Sequence, residues 1–166
     1  MSAPALRPFL PADTPALATI FAAAVEQLTG DDYSEAQQEA WARTADDEAR
    51  FGARLAGQLT LIATIDGEPV GFASLKGRDH IDMLFVHPDA ARRGVATMLC
   101  DALEKLAGAR GAERLTVDAS DTAEPLFARR GYAAQQRNSV SLDGEWLANT
   151  TMQKTLADAG TTTEAR

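Results

Sequence analysis

The sequence predicts an α/β chain of the α+β kind, with one mixed, mostly antiparallel central sheet and helices on both faces. Three observations carry that expectation. The apolar pattern changes period in the order strand, helices, three strands, helix, strand, helix, two strands. The dipeptides Asp66-Gly67 and Asp143-Gly144 sit between strand-like runs, as hairpin turns do. One stretch, Leu84 to Thr97, passes from an apolar strand through a short loop into a helix.

In chain order, Leu6 to Leu10 reads as a short first strand, with proline marking it as an edge. Thr14-Pro15 reads as a capping hydroxyl followed by proline at the first helical position. Leu17, Ile20, Phe21, Val25 and Leu28 form the stripe of that helix, and Gly30 closes it. Ser34-Glu35-Ala36-Gln37 has capping-box spacing and opens a second helix through Trp41. A third helix is expected from about Ala45 to Leu55. Two strands, Gln58 to Ile65 and Glu68 to Leu75, flank Asp66-Gly67. A third runs from His80 to His87. The next helix reaches about Arg110, and Glu113 to Asp118 forms another strand. Asp121-Thr122-Ala123-Glu124 has capping spacing and opens a short helix ending at Gly131. Tyr132 to Ser141 and Glu145 to Leu156 form the last hairpin. One domain over 1–156 is expected, with 157–166 as a small, polar, flexible tail.

With 166 residues, the chain can bury a sizeable core. It carries 24 acidic and 16 basic residues, a formal net charge of −8. That balance excludes nucleic acid as the expected partner, since phosphate binding wants a basic face. Cys100 is the only cysteine, so no intrachain disulfide can form and a reducing compartment is expected. The opening residues lack the basic and apolar regions of a signal peptide, and no run has the length of a membrane span. The expected setting is the cytoplasm, with no membrane partner.

The segment Ala91-Arg92-Arg93-Gly94-Val95-Ala96-Thr97 follows a strand and opens a helix. The amides of a helix's first turn point outward, and the macrodipole favours an anion there. Gly94 and Ala96 remove side-chain bulk, so a diphosphate can approach the backbone. The spacing is not Gly-x-Gly-x-x-Gly, and no Gly-Lys-Ser/Thr occurs, which disfavours dinucleotide and nucleoside triphosphate folds. The stretch resembles the acetyl-CoA motif of the GNAT superfamily of N-acetyltransferases, Gln/Arg-x-x-Gly-x-Gly/Ala. Its first position departs, being Ala91. The element order resembles that family over nearly the whole chain, most strongly from Gln58 to Tyr132. Asp32-Tyr33-Ser34 with Trp41-Ala42 resembles one bacterial branch of it.

The resemblance implies acetyl-CoA as cosubstrate, with no metal. It implies that backbone groups of Leu84, Phe85 and Val86 serve the pantetheine arm, with an amide near Phe85 or Val86 facing the thioester oxygen. The amides from Arg92 to Thr97 would hold the diphosphate, and the Ser120 hydroxyl would contact the pantetheine. Strand alternation puts His80, Asp82, Leu84 and Val86 on one face. Asp82 suits the family's carboxylate base by type. His80 suits it by position and by an unperturbed pKa of about 6.5. The alternative for each is a hydrogen bond to a turn. His87, of opposite parity, reads as a loop residue. Many family members place a tyrosine proton donor where this chain has Phe127; Tyr132 carries a hydroxyl nearby, at a position that usually packs in the core. Tyr33, Trp41 and Trp146 are candidates for the acceptor side, with plain packing as the alternative, favoured for Trp146. Cys100 is expected to be buried and unreactive.

The expected activity is direct transfer of an acetyl group from acetyl-CoA to a primary amine in a ternary complex. The acceptor is a small-molecule amine or a peptide or protein amino group, and a homodimer is compatible with it. The alternative is a noncatalytic acyl-CoA-binding or regulatory domain on the same fold.

Overall fold

The computed structural model describes residues 2–156. The tail expected at 157–166 lies outside them. The elements run β1 (Ala5–Pro8), α1 (Thr14–Leu28), α2 (Glu35–Ala42), α3 (Glu48–Ala56), β2 (Leu59–Ile65), β3 (Glu68–Lys76) and β4 (His80–Val86). They continue as α4 (Val95–Ala109), β5 (Arg114–Ser120), α5 (Glu124–Arg129), β6 (Ala133–Leu142) and β7 (Glu145–Thr155). The expected element order is therefore observed.

Seven strands form one sheet in the order β1-β2-β3-β4-β5-β7-β6. Only β4 and β5 run parallel, and they pair only at His80–Thr116 and Ile81–Val117. The other neighbours are antiparallel. Two apolar layers cover the sheet. One face packs Ile81, Val117 and Ala119 under Val95, Leu99 and Leu103 of α4 and Phe127 of α5. The other packs Ile62, Phe72 and Met83 against Leu17, Phe21 and Val25 of α1 and Phe51 and Leu55 of α3.

Local signals behave as their chemistry dictates where no distant partner competes. Ser34 accepts the Gln37 amide while the Gln37 side chain accepts the Ser34 amide, closing the capping box of α2. Asp66 and Gly67 take φ of 54° and 83°, as do Asp143 and Gly144 at 47° and 85°, the left-handed pairs of tight hairpins. Three expectations need correction. Thr14 does not cap α1; its hydroxyl donates to the Pro11 carbonyl, and Thr29 rather than Gly30 follows the last turn. A separate 3-10 turn occupies Arg43–Ala45, so α3 begins at Glu48, capped by Asp47. Asp121 does not cap α5, because Arg137 claims its carboxylate; Ser120 Oγ accepts the Ala123 amide instead.

Candidate functional site

Beyond Ile81 and Val117 the pairing of β4 with β5 ends, and the two strands part. A cleft of about 350 Å³ opens between them, lined by both strands, by α1, α2 and α3, and by the β6–β7 hairpin. His80, Asp82, Leu84, Phe85, Ser120, Phe127, Tyr33 and Trp41 line it. Tyr132 and Trp146 do not.

A β-bulge sets the directions of the β4 side chains. Ser74 pairs with Met83, but the next residue, Leu75, pairs with Ile81, so Asp82 is the extra residue. Alternation therefore slips by one. Leu84 and Val86 pack with Ile81 on the α4 face. Met83 and Phe85 pack on the α1 face. Asp82 reaches Arg54 and Gln58 at the end of α3, on that second face. His80 reaches Thr116, on the side of β5 away from the buried Leu115 and Val117. His80 and Asp82 thus share a face with each other, but not with Leu84 and Val86, which corrects the expected strand face.

The backbone of β4 follows a separate alternation. The His87 amide donates to the Val70 carbonyl. Antiparallel pairs alternate between bonded and non-bonded, so Phe85 pairs with Phe72, and the N–H and C=O of Leu84 and Val86 turn toward β5. There β5 has moved away. Of the two amides expected to face a thioester, the Val86 amide points into the gap and the Phe85 amide does not. The Phe85 ring lies 4.6 Å from Phe21 and 6.1 Å from Trp41, centroid to centroid.

At the mouth of the gap, α4 begins without a side-chain cap, because its N-cap is Gly94. Met98 makes the first bond, to the Gly94 carbonyl, so the amides of Val95, Ala96 and Thr97 have no intrahelical partner. Arg92 and Gly94 both take positive φ, 65° and 81°. A Cβ on Gly94 would meet nothing within 4 Å, so the space before the helix is open. Val95 points the other way, into the core at 1% exposure. Gly71 lets α4 come down on the sheet: a Cβ there would lie 3.0 Å from Val95 Cγ1 and 3.1 Å from the Phe85 carbonyl oxygen. Nothing in the sequence pattern singled Gly71 out. Uncapped amides, an open approach and a gap with turned-out backbone groups fit an extended thiol ester carrying a diphosphate. Ser120 Oγ, holding the Ala123 amide, keeps its own proton to donate there.

The electrostatics separate the two base candidates. Burial works to raise the Asp82 pKa, but hydrogen bonds from Arg54 Nε and Gln58 Nε2, both 2.8 Å, outweigh it and hold the carboxyl below its ordinary value. His80 places Nδ1 2.7 Å from Thr116 Oγ1 and Nε2 3.9 Å from Asp118 Oδ2. Asp118, which the sequence reading missed, faces His80 only because β4 and β5 are paired at that level. Tyr33 is buried, donates to the Ala148 carbonyl and accepts the Asp121 amide, tying α2's approach to β7 and β5. Burial raises its pKa.

Tyr132 packs in the α4-face layer, outside the cleft lining, in a network with Glu104, Arg130 and Lys154. Its hydroxyl donates to Glu104 Oε2 at 2.9 Å, and burial and the Glu104 charge push its pKa well up. Its expected place among the catalytic candidates is therefore not matched by a place in the cleft. Trp146, expected near the acceptor, is 64% exposed on the hairpin's outer side. His87 accepts the Asp89 amide in the loop after β4. Cys100 is fully buried, and its thiol is pushed up to about 12.

Residues 29–156 match the family model described as acetyltransferase (GNAT) domain. The chain is 40% identical over 144 residues to the uncharacterized N-acetyltransferase YafP of Escherichia coli strain K12, covering 87% of this chain and 91% of that one. It is similar to the crystal structure of a GCN5-related N-acetyltransferase (aminotransferase, class-II) from Rhodopseudomonas palustris. That match has a TM-score of 0.92 and 72% identity over 94% of this chain and 98% of the other. The fold, at 16% identity, is also that of the PaiA N-acetyltransferase from Thermoplasma acidophilum in complex with coenzyme A. There the TM-score is 0.75, over 92% of this chain and 99% of that one.

Proposed function

The chain belongs to the GNAT acetyltransferase family, and from that premise we propose that it transfers an acetyl group from acetyl-CoA to a primary amine by direct attack in a ternary complex. The observation that carries this reading is the parting of β4 from β5 beside the uncapped start of α4. The amides from Arg93 to Thr97 would take the diphosphate, and the Leu84 and Val86 backbone the pantetheine arm. Acetyl-CoA supplies the acyl group as a thioester. The Leu84 amide, which also turns into the gap and lies nearer His80 along β4 than that of Val86, would donate to the carbonyl oxygen as charge builds on it. His80 Nε2 would take the proton from the acceptor's ammonium, directly or through one water. The freed nitrogen then attacks the carbonyl carbon; a C–N bond forms, the C–S bond breaks, and sulfur leaves as thiolate. The nitrogen gives its second proton to that thiolate or to water, leaving the neutral amide and the thiol or thiolate of CoA.

Asp82 does not suit the base, because its proton affinity is lowered and Arg54 and Gln58 hold its carboxylate. It fixes α3 to the β4 bulge. The acceptor is a small amine or a peptide amino group. A cytoplasmic setting belongs to the same reading, with the lone Cys100 as its support.

One observation favours a second reading, a noncatalytic CoA-binding domain: Phe127 lines the cleft without a hydroxyl to give the leaving sulfur. Free-thiol release from acetyl-CoA with an amine panel, beside calorimetric CoA binding, tests the pair. Amine-dependent release is expected. Tight CoA binding with no release on any amine would favour the second reading.

A further inference from the structure

The acceptor side of the cleft has a simple charge pattern. Its charged or titratable lining side chains, apart from the Tyr33 phenol, are Arg54, His80, Asp82 and Asp118. Arg54 and Asp82 cancel one another as an ion pair at 2.8 Å. Asp118 has no such partner: its one ion-pair neighbour among the described residues is His80, at 3.9 Å. With His80 in its neutral form, Asp118 gives the lining one net negative charge.

Asp118 is held for that task. Thr151 donates its hydroxyl to Oδ1 at 2.6 Å. The Thr151 oxygen in turn accepts from Asn138 Nδ2, which also donates to Asn149 Oδ1. That chain directs the Thr151 proton at Asp118 and leaves Oδ2 toward His80. The same cleft also carries an aromatic wall. Phe21, Trp41 and Phe85 stack edge to face, and the Tyr33 ring lies 5.4 Å from Trp41. The Tyr33 hydroxyl is spent on Ala148 and the Asp121 amide, so Tyr33 offers this wall its ring.

We infer that Asp118 anchors the acceptor's ammonium, and that the acceptor is a primary amine on an aromatic or apolar body with no carboxylate beside the nitrogen. This rests on the acetyl-transfer reading above. The ammonium sits between Asp118 Oδ2 and His80 Nε2 and gives one proton to Nε2, and Asp118 stabilises the imidazolium that results. The aromatic rings receive the body of the amine. An α-carboxylate would lie against Asp118, and the cleft's one guanidinium, Arg54, is already engaged by Asp82.

The test uses acetyl-CoA with phenethylamine, phenylalanine and spermidine as probes, on wild type, Asp118→Asn and Asp118→Glu. Phenethylamine should be the best of the three. Asp118→Asn should raise its KM tenfold or more and leave the KM for acetyl-CoA unchanged, and Asp118→Glu should restore part of the loss. Unchanged thermal melting separates this from a folding defect. Turnover that prefers phenylalanine or spermidine, or a phenethylamine KM indifferent to Asp118→Asn, overturns the assignment while acetyl transfer stands. A wild type that binds CoA but releases thiol with no amine overturns acetyl transfer itself, and this assignment with it.

Discussion

His80 Nδ1 lies 2.7 Å from Thr116 Oγ1, and the direction of this hydrogen bond sets which ring nitrogen can take a proton. When the Thr116 hydroxyl turns to the Asp79 carbonyl, 3.4 Å away, its oxygen accepts from Nδ1–H. Nε2 then carries the lone pair, on the side of Asp118. His80→Gln should lower kcat/KM about a hundredfold and flatten the ascending limb of the pH profile. Thr116→Val should move that limb without changing CoA affinity. The charged groups that face His80 are Asp82 and Asp118, with Arg54 behind Asp82, so their variants belong in the same titration. A limb unmoved in His80→Gln removes His80 as the base.

Asp82 should act on stability rather than on the rate near neutrality. Its folded pKa is lowered, so its contribution is fully present above the unfolded value, about 3.9, and fades as pH falls through the folded one. Asp82→Asn should cost about 1–2 kcal/mol at pH 7 and much less in acid. Chemical denaturation at pH 7 and in strong acid checks this; a cost equal at both would contradict a charge-based role.

Tyr132 makes the opposite case. Its hydroxyl belongs to Glu104, on the α4 side of the sheet, and Tyr132 is not among the residues that line the cleft. Tyr132→Phe should cost about 1 kcal/mol and leave kcat and its pH profile unchanged. Because burial raises the folded pKa, the Tyr132 contribution is present below about pH 10 and is lost as pH rises through the folded value. Melting of wild type and variant should therefore converge in strong alkali. A kcat that collapses in Tyr132→Phe would make Tyr132 the donor after all.

The pattern of these results follows from how far apart the determining residues lie. The capping box at Ser34 and Gln37, the two Asp-Gly hairpins and the glycine before α4 are decided within a few residues, and all were readable. The bulge at Asp82 was not, because it exists only in the register between β4 and β3. It reversed the faces of Leu84 and Val86 relative to His80. Asp118 lies 38 positions beyond His80, and only the short parallel pairing of their strands joins them. Trp146 and Tyr132 were site candidates by residue type with packing as the favoured alternative; Tyr132 does pack, in the α4-face layer, while Trp146 stands exposed.

Gly94 separates backbone strain from ligand contact. Its φ of 81° disfavours any side chain, yet a Cβ would meet nothing within 4 Å. Gly94→Ala should therefore cost about 1 kcal/mol of stability with a modest effect on CoA. Gly94→Glu adds bulk and negative charge where the diphosphate is proposed to lie, and should weaken CoA binding well over tenfold. Calorimetry on both folded variants is the check. Equal affinities would put the diphosphate elsewhere.

Phe127 is 1% exposed, its ring set edge-on to Tyr132 at 5.1 Å, and it forms part of the cleft lining. Phe127→Tyr adds a single hydroxyl to a residue of the cleft lining. CoA affinity should hold. If protonation of sulfur limits turnover in part, kcat should rise, most of all at alkaline pH where solvent protons are scarce. A general acid contributes about a hundredfold or more to a limiting step. The gain here should be under about tenfold, because a thiol of pKa about 8.5 leaves readily as thiolate. The measurement is kcat at pH 7 and pH 9.5 for both proteins under saturating acetyl-CoA. A rise confined to high pH supports partial limitation by donation. Identical profiles mean that sulfur departs unaided, and that a phenylalanine at this position costs the reaction nothing.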